Sequence, residues 1–252
     1  GHHLHYLTID NPDATRPMMD VLRDLVGESG ATDVRVQAPD EWRLDALFRE
    51  AMNTWPDELG VSFSMDDTEH FLTSRTDLAT HFEGKKQYLM ESFYRMMRKR
   101  HDVLLGASGQ PEGGKWNYDA NNRKKLPKGH VPPAPYLWGR DVTILLAELI
   151  NAGVETVGQV QPERFGWPVT REESLALLNI FVEELLPRFG DFQDALTEDS
   201  WTLYHSRLSF AMNVKMLNPK EVIAAVEQKW REDPTHASIE QAEGFIRQIL
   251  GL

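Results

Sequence analysis

An alternation of strand and helix patterns in the first quarter of the chain is the feature that most constrains the fold. Segments rich in aliphatic, aromatic and β-branched residues lie at Leu4–Ile9, Asp33–Gln37 and Val61–Met65, and two segments with apolar residues at helical spacing separate them. Strands that alternate with helices through short links form a parallel sheet with right-handed crossovers. The sequence therefore predicts an α/β unit, and because a parallel sheet rarely has so few strands, we expect its first strands to be missing.

The remainder of the chain is predicted to be helical. Three helix starts carry a capping residue followed three positions later by Glu or Gln, at Thr170–Glu173, Asn218–Glu221 and Ser238–Gln241. Between the α/β part and these helices, residues 106–139 are rich in Gly and Pro and show no periodicity, which is typical of a functional loop or an interdomain connector. The predicted fold class is therefore α/β followed by all-α.

Composition excludes several classes of protein. The sequence has no cysteine, so these residues form no disulfide, no thiolate metal site and no cysteine nucleophile. The glycine-rich motifs of the common nucleotide-binding loops and of the hydrolase nucleophile elbow are absent from the sequence. No stretch approaches the roughly 18 uninterrupted apolar residues of a membrane helix, so we expect a soluble protein.

Charge is distributed unevenly along the chain. The net charge is −12, yet residues 85–128 contain eleven basic and four acidic residues, a local net charge of +7. A basic strip with aromatic side chains nearby is typical of contacts to a nucleic-acid backbone. The residues that we predict for such contacts are Lys115, Trp116, Arg123, Lys124 and Lys125. The alternative is a solvated helix face and a loop whose cations pair with acidic neighbours.

A second polar group combines acidic residues and histidines. Its members are Asp66, Asp67, Glu69, His70 and His81, which together resemble a carboxylate-rich metal site. A polar connector between strand and helix explains the same residues, and we favour it because no recognisable ligand spacing is present. We therefore predict no metal site. We also assign His2, His3 and His5 to a surface strand.

The segment Tyr204–Asn213 contains two serines, Ser206 and Ser209, at a position where a helix could begin. Hydroxyl and backbone N–H groups at such a start can bind an anion such as a pyrophosphate. Simple helix capping is the alternative, because serines at a helix start are common.

The segment His205-Ser206-Arg207-Leu208-Ser209 resembles the Thr-Ser-Arg-Leu-Ser element with which photolyases and cryptochromes hold the diphosphate of FAD. Further segments fit one branch of these proteins in the same order along the chain: Glu41–Arg43, Gly84–Lys86, Met90–Arg95, Lys115–Asp119, Asn122–Arg123, Phe165–Arg171, Arg188–Ala195 and Gly244–Gly251. Together they resemble the bacterial deoxyribodipyrimidine photolyase-related proteins, which comprise the iron–sulfur (6-4) photolyases and their cryptochrome relatives.

This resemblance implies a domain organisation. Residues 1–80 would form part of a Rossmann-like antenna domain, residues 81–140 a basic helix and interdomain connector, and residues 141–252 the first part of a helical FAD-binding domain. The cofactors implied are FAD, a lumazine antenna chromophore and a [4Fe–4S] cluster. The FAD contacts carried over from the family motif are His205, Ser206, Leu208, Ser209, Asn213 and Gln248.

The resemblance also implies a function. Blue light excites reduced FAD, which passes an electron to a flipped-out (6-4) pyrimidine lesion in damaged DNA, in the bacterial cytoplasm. A blue-light-sensing cryptochrome of the same branch, or a cofactor-free binding or adaptor module on the same fold, would share these motifs. The sequence identifies no catalytic residue and leaves the oligomeric state open.

The departures from the family concern length and one residue. Family members are about twice as long, so we expect most lumazine contacts, the rest of the FAD pocket and the four cluster cysteines to lie outside this chain. His205 replaces the usual Thr of the phosphate-binding element. We therefore expect these residues alone to bind FAD weakly and to be inactive in repair.

Overall fold

A computed structural model describes residues 3–68 and 70–251 of the chain. The chain separates into two compact units, one formed by Gly1–Glu69 with Gly139–Phe165, the other by His70–Trp138 with Gly166–Leu252. The division into domains at residues 80 and 140 stays a prediction.

The main regular elements of the described residues are two strands and ten α-helices. The strands are β1 (Asp33–Gln37) and β2 (Ser62–Asp66). The helices are α1 (Met18–Ser29), α2 (Trp42–Leu59), α3 (Asp77–Phe82), α4 (Met90–His101), α5 (Thr143–Asn151), α6 (Arg171–Ile180), α7 (Leu186–Phe192), α8 (Ser209–Asn213), α9 (Pro219–Glu232) and α10 (Ile239–Leu250). A single π-helical turn, Phe181–Leu185, joins α6 to α7.

The first unit contains a small parallel sheet covered by helices. Strands β1 and β2 pair in parallel, with Val34 opposite Phe63. These side chains are buried together with Phe48 and Trp55 of α2 and Val26 of α1. Helix α2 begins at a carboxylate cap, because Glu41 accepts hydrogen bonds from the backbone N–H groups of the first turn. Both predicted helices and the second and third predicted strands are thus confirmed.

The strand predicted over Leu4–Ile9 is wrong. Residues 3–8 form no regular element, and Leu4 and Tyr6 are 88% and 77% exposed. A strand is stable only when a neighbouring strand satisfies its backbone groups and another layer buries its side chains. Within the described residues the sheet consists of β1 and β2, and this segment pairs with neither. His3 and His5 lie in it and are exposed, whereas His2 lies outside the described residues.

The second unit is helical. Its core is formed by buried side chains of α4, the π-helical turn, α7, α9 and α10, among them Tyr94, Phe181, Leu186, Val222 and Ile246. Helix α10 packs against α4, α7 and α9. The predicted capping boxes at Thr170–Glu173 and Asn218–Glu221 are present. The third is wrong, because Ser238 precedes α10 without a side-chain cap bond.

Candidate functional site

The segment that carries the resemblance lines a cavity of about 390 Å³ in the second unit. Helices α7 and α10 supply the facing wall. The lining residues are Phe189, Gln193, Asp194, His205, Ser206, Arg207, Leu208, Ser209, Met212, Phe245, Gln248 and Ile249. Five of the six residues carried over from the family motif therefore lie around one cavity, which we call the main pocket. The sixth, Asn213, is exposed at the end of α8 and is not among the lining residues.

The backbone of this segment is fixed by burial and by one unusual dihedral angle. Leu208 is fully buried, and His205 N–H donates to the Thr202 carbonyl oxygen at 2.9 Å. Arg207 lies in the left-handed region with φ +57°, which a non-glycine residue adopts only where its surroundings compensate the strain. No side chain caps α8, which has only five residues. The capping alternative for Ser206 and Ser209 therefore does not describe this helix start.

Arg207 is the cationic side chain of the main pocket, whose lining also contains the exposed carboxylate Asp194. Its guanidinium lies 5.4 Å from the Trp167 ring and 5.5 Å from the Trp201 ring, and Nη2 donates to the Tyr136 carbonyl oxygen. No carboxylate in the described residues pairs with it, and Nη1 is buried without a partner. Burial lowers the pKa of Arg207, but a guanidinium stays protonated near neutral pH. The main pocket therefore has a positively charged wall.

The other polar and apolar groups of the pocket complete a mixed lining. Gln193 lines the pocket, but its Oε1 atom is buried without a partner and lies 3.3 Å from where a Cβ of Gly244 would be. Ser206 and Ser209 offer hydroxyls, and Phe189 and Phe245 supply aromatic surface, with ring centroids 5.2 Å apart. A pocket with apolar walls and a few convergent polar groups suits a small molecule that has both an anionic and an apolar part.

Arg207 and Gln193 were not predicted from the sequence. Arg207 lies inside the segment His205–Ser209, but no local pattern predicts that its side chain packs beside Trp167 and Trp201, which are distant in the chain. Gln193 directly follows α7, one turn after Phe189. Its place in the pocket lining depends on the packing of α7 against α10, which the sequence does not show.

The predicted nucleic-acid residues differ in how far their charge is neutralised. Arg123 forms an ion pair with Asp119, and Lys124 Nζ lies 2.9 Å from Asp191 Oδ1. Lys115 and Lys125 are exposed, and neither forms an ion pair within the part of the chain that is described. The paired-cation alternative therefore describes Arg123 and Lys124 but not Lys115 and Lys125.

Trp116 is surrounded by cations rather than open for stacking. The charged groups of Arg95, Arg98 and Lys99 lie 5.7, 5.2 and 5.3 Å from its ring. Arg98 is fully buried and donates to the carbonyl oxygens of residues 103, 104 and 116. This arrangement fixes the chain after α4 and gives Trp116 a packing role.

Three members of the group of acidic residues and histidines have partners outside it. Asp66 pairs with Arg35, His70 contacts the Met212 carbonyl oxygen at 2.9 Å, and His81 contacts Ser92 Oγ at 3.0 Å. Glu69 lies outside the described residues. Over residues 3–68 and 70–251, no three potential metal ligands come together.

Among the helices of the described part, none is both long and apolar enough to cross a membrane.

Comparison with known proteins identifies the family. A model of the deoxyribodipyrimidine photo-lyase-related protein family matches residues 1–165. The whole chain is 30% identical to the (6-4) photolyase of Agrobacterium fabrum, and the match covers 48% of that protein. An uncharacterized protein of Acanthamoeba polyphaga mimivirus is 28% identical over 88 residues, which is 33% of this chain and 44% of the viral protein.

The chain belongs to the deoxyribodipyrimidine photolyase-related family, and the resemblance drawn from its motifs is confirmed. It spans about half the length of the (6-4) photolyase that it matches. The main pocket lies beyond residue 165, so its residues fall in the part matched by that photolyase and outside the match to the family model.

Proposed function

We propose that this chain is part of a light-driven DNA repair flavoprotein of the (6-4) photolyase type, and that its main pocket binds the diphosphate of FAD. The observation that carries the proposal is the convergence of His205, Ser206, Leu208, Ser209 and Gln248 on one pocket that also contains the half-buried cation Arg207. When bound, FAD would supply the light-driven electron transfer, while the protein binds and orients it.

The groups present fit such a ligand. Arg207 brings a positive charge to the pocket wall, which suits a phosphate oxygen. The Ser206 and Ser209 hydroxyls can donate to further oxygens. The volume of about 390 Å³ lies near the lower end of small-molecule pockets, so these residues would hold one portion of the cofactor.

Other parts of the proposal rest on the family alone. A lumazine antenna and a [4Fe–4S] cluster are proposed for the complete protein, with the cluster on residues outside this sequence, which has no cysteine. Damaged DNA is the proposed substrate. Lys115 and Lys125 are the proposed contacts, because neither lysine forms an ion pair within the described residues. The bacterial cytoplasm is the proposed location.

A repair assay tests the proposed function. Duplex DNA with a single (6-4) lesion is incubated with the full-length protein in the dark and under blue light, next to DNA with a cyclobutane dimer. We expect loss of the (6-4) lesion in the light only. A protein that contains flavin but repairs neither lesion would favour light sensing, and one that binds no flavin would favour an adaptor role.

A further inference from the structure

A groove runs along one side of helix α4 in the second unit. Its volume is about 630 Å³, and we call it the α4 groove. The lining residues are Leu89, Glu91, Ser92, Arg95, Met96 and Lys99. Most of them are three or four positions apart, so they share one face of the helix. None of them lines the main pocket. The α4 groove is therefore a surface separate from the one assigned to FAD.

Lysines lie at both ends of the α4 groove, and neither forms an ion pair within the described residues. Lys99 is exposed at one end, with its ammonium group 5.3 Å from the Trp116 ring. Lys85 lies near the other end, because its Nζ atom is 3.1 Å from His81 Nε2, which is itself 3.0 Å from Ser92 Oγ. Both ends of the groove thus carry a positive charge that no carboxylate neutralises.

The acidic lining residue, Glu91, is already paired. Arg95 Nε donates to Glu91 Oε1 at 3.0 Å, and Asn117 Nδ2 donates to Oε2 at 2.8 Å. Arg247 Nη1 lies 3.4 Å from the same Oε2 atom. Two arginines therefore balance one carboxylate, and the α4 groove has a net positive charge together with its two lysines.

Apolar and aromatic surface accompanies these charges. Leu89 is 57% exposed, and Met96 is half-buried. Tyr88, which precedes Leu89, is 76% exposed, and its ring centroid lies 5.2 Å from that of Phe82. Lys85 Nζ lies 5.3 Å from the same Phe82 ring. An exposed aromatic ring and a cation are thus neighbours at one end of the α4 groove.

This combination distinguishes between kinds of polyanion. Single-stranded nucleic acid binds to cationic grooves that also offer aromatic side chains, because its phosphates contact the cations while its unpaired bases stack. A duplex would use the cations alone, since its bases are already stacked on one another. An acidic peptide would use the cations and the apolar surface, but it lacks the regular flat rings that stack on a tyrosine. The exposed ring of Tyr88 therefore favours a single strand.

We propose that the α4 groove binds single-stranded nucleic acid, with Lys85 and Lys99 at the backbone phosphates and Tyr88 stacked on a base. Ser92 and Lys99 are about 10 Å apart along the helix axis. This length matches about three nucleotides of a stacked strand, whose phosphates follow at roughly 3.4 Å along the axis. The binding goes beyond the proposed function, because it requires neither flavin, nor light, nor a lesion.

The test measures binding of a labelled, lesion-free oligothymidylate of about 16 nucleotides to the full-length protein, by fluorescence anisotropy in the dark. Titrations at several salt concentrations give the affinity and its salt slope. Lys85→Gln with Lys99→Gln should reduce the magnitude of the slope by about 1.4, since two contacts to a single strand are lost. Arg188→Gln with Lys220→Gln removes two exposed charges from α7 and α9 and should keep the wild-type slope.

The aromatic contact is tested separately. Tyr88→Ala should lower the affinity for oligothymidylate about fivefold or more, the effect of one lost base–aromatic stack. Tyr88→Phe keeps the ring and should bind like the wild type. Because Tyr88 is largely exposed, circular dichroism should show the same folded state for both variants.

Three results would overturn the proposal. Oligothymidylate that does not bind saturably at low salt would exclude the site. Equal slopes for the groove variant and its matched control would place the nucleic acid elsewhere on the protein. Displacement by duplex DNA or polyglutamate at equal charge concentration, with full affinity in Tyr88→Ala, would show a general polyanion surface. The repair assay is read independently, since failure of repair would leave binding in the dark unchanged.

Discussion

At the scale of single residues, the buried carboxyl group of Glu243 is the most informative side chain outside the main pocket. It is fully buried on α10, and its Oε2 atom accepts the Tyr118 backbone N–H at 2.9 Å. Burial is the dominant influence and raises its pKa, although hydrogen bonds and nearby arginines oppose the shift. The folded protein therefore holds the carboxyl proton more tightly than the unfolded chain does.

This shift predicts a pH dependence of stability. Between the unfolded pKa and the raised folded pKa of Glu243, the folded state binds more protons, so the free energy of unfolding falls as pH rises. Glu243→Gln removes this dependence, and its amide can still accept from Tyr118. We expect the stability of the variant relative to the wild type to increase from about pH 4 to about pH 8, measured by urea unfolding.

Glu232→Gln, an exposed change at the end of α9, is the matched control and should leave the pH profile unaltered. A Glu243→Gln profile parallel to that of the wild type would show that Glu243 does not titrate differently on folding.

At the scale of elements, the side chain of Asn122 packs between helices α7 and α10, against Gly190 and Gly244. The Asn122 Nδ2 group donates to the Glu240 carbonyl oxygen at 2.8 Å. A Cβ atom at Gly244 would lie 2.6 Å from the same nitrogen, and one at Gly190 would lie 3.0 Å from the amide. Glycine is required at both positions because the Asn122 amide occupies the space that a larger side chain would need.

Gly244→Ala should destabilise the protein by about 1–3 kcal/mol, because the new methyl group displaces a packed and hydrogen-bonded amide. Gly27→Ala is the control, since a Cβ there meets nothing within 4 Å and alanine favours helix. That change should be neutral or stabilising by up to about 1 kcal/mol. Chemical denaturation measures the free energy of unfolding of both variants. Equal effects of the two changes would contradict close packing of Asn122 against Gly244.

The starts of α6 and α9 are joined by a two-point ion pair. Arg171 donates from Nη1 and Nη2 to the two carboxylate oxygens of Glu221, at 2.9 and 2.7 Å, and Nη1 also donates to the Met216 carbonyl oxygen. The pairing with Arg171 lowers the pKa of Glu221. Its stabilisation is therefore present above the ordinary pKa of Glu and is lost as pH falls through the folded value.

Arg171→Met should destabilise the protein slightly at neutral pH, because both hydrogen bonds to the Glu221 carboxylate are lost while the pair is partly exposed to solvent. The difference between variant and wild type should shrink in acid, measured by urea unfolding across pH. A difference that persists below the folded pKa of Glu221 would mean that Arg171 acts through packing alone.

Elements that depend on neighbouring residues alone could be predicted from the sequence. Elements that depend on contacts with distant segments could not. The boxes at Thr170 and Asn218 need only residues within one turn, so they could be read directly. The strand at Leu4–Ile9 has the right composition but no neighbouring strand. The π-helical turn and the position of Arg207 between Trp167 and Trp201 depend on packing between distant segments, which no local pattern encodes.

At the scale of the whole molecule, an acidic chain with a basic segment should bind DNA through its unpaired cations. Lys115→Gln with Lys125→Gln should weaken DNA binding and reduce the salt slope by about 2, as two phosphate contacts are lost. Lys124→Gln should change the slope less, because Asp191 already pairs with this lysine. Lys220→Gln, an exposed lysine of α9, is the control.

Fluorescence anisotropy with labelled duplex DNA at several salt concentrations gives these slopes. A slope that responds to Lys124→Gln as strongly as to the double change would contradict the distinction between paired and unpaired cations.

Titration with FAD and with riboflavin tests whether the main pocket recognises the diphosphate of FAD. Riboflavin has the same ring system but no phosphate. We expect FAD to bind at least about tenfold more tightly, and Arg207→Gln to remove most of that difference, because Arg207 supplies the charged donor. Arg188→Gln, an exposed change on α7, should have no effect. Equal affinity for the two flavins, or full FAD affinity in Arg207→Gln, would contradict recognition of the diphosphate by the main pocket.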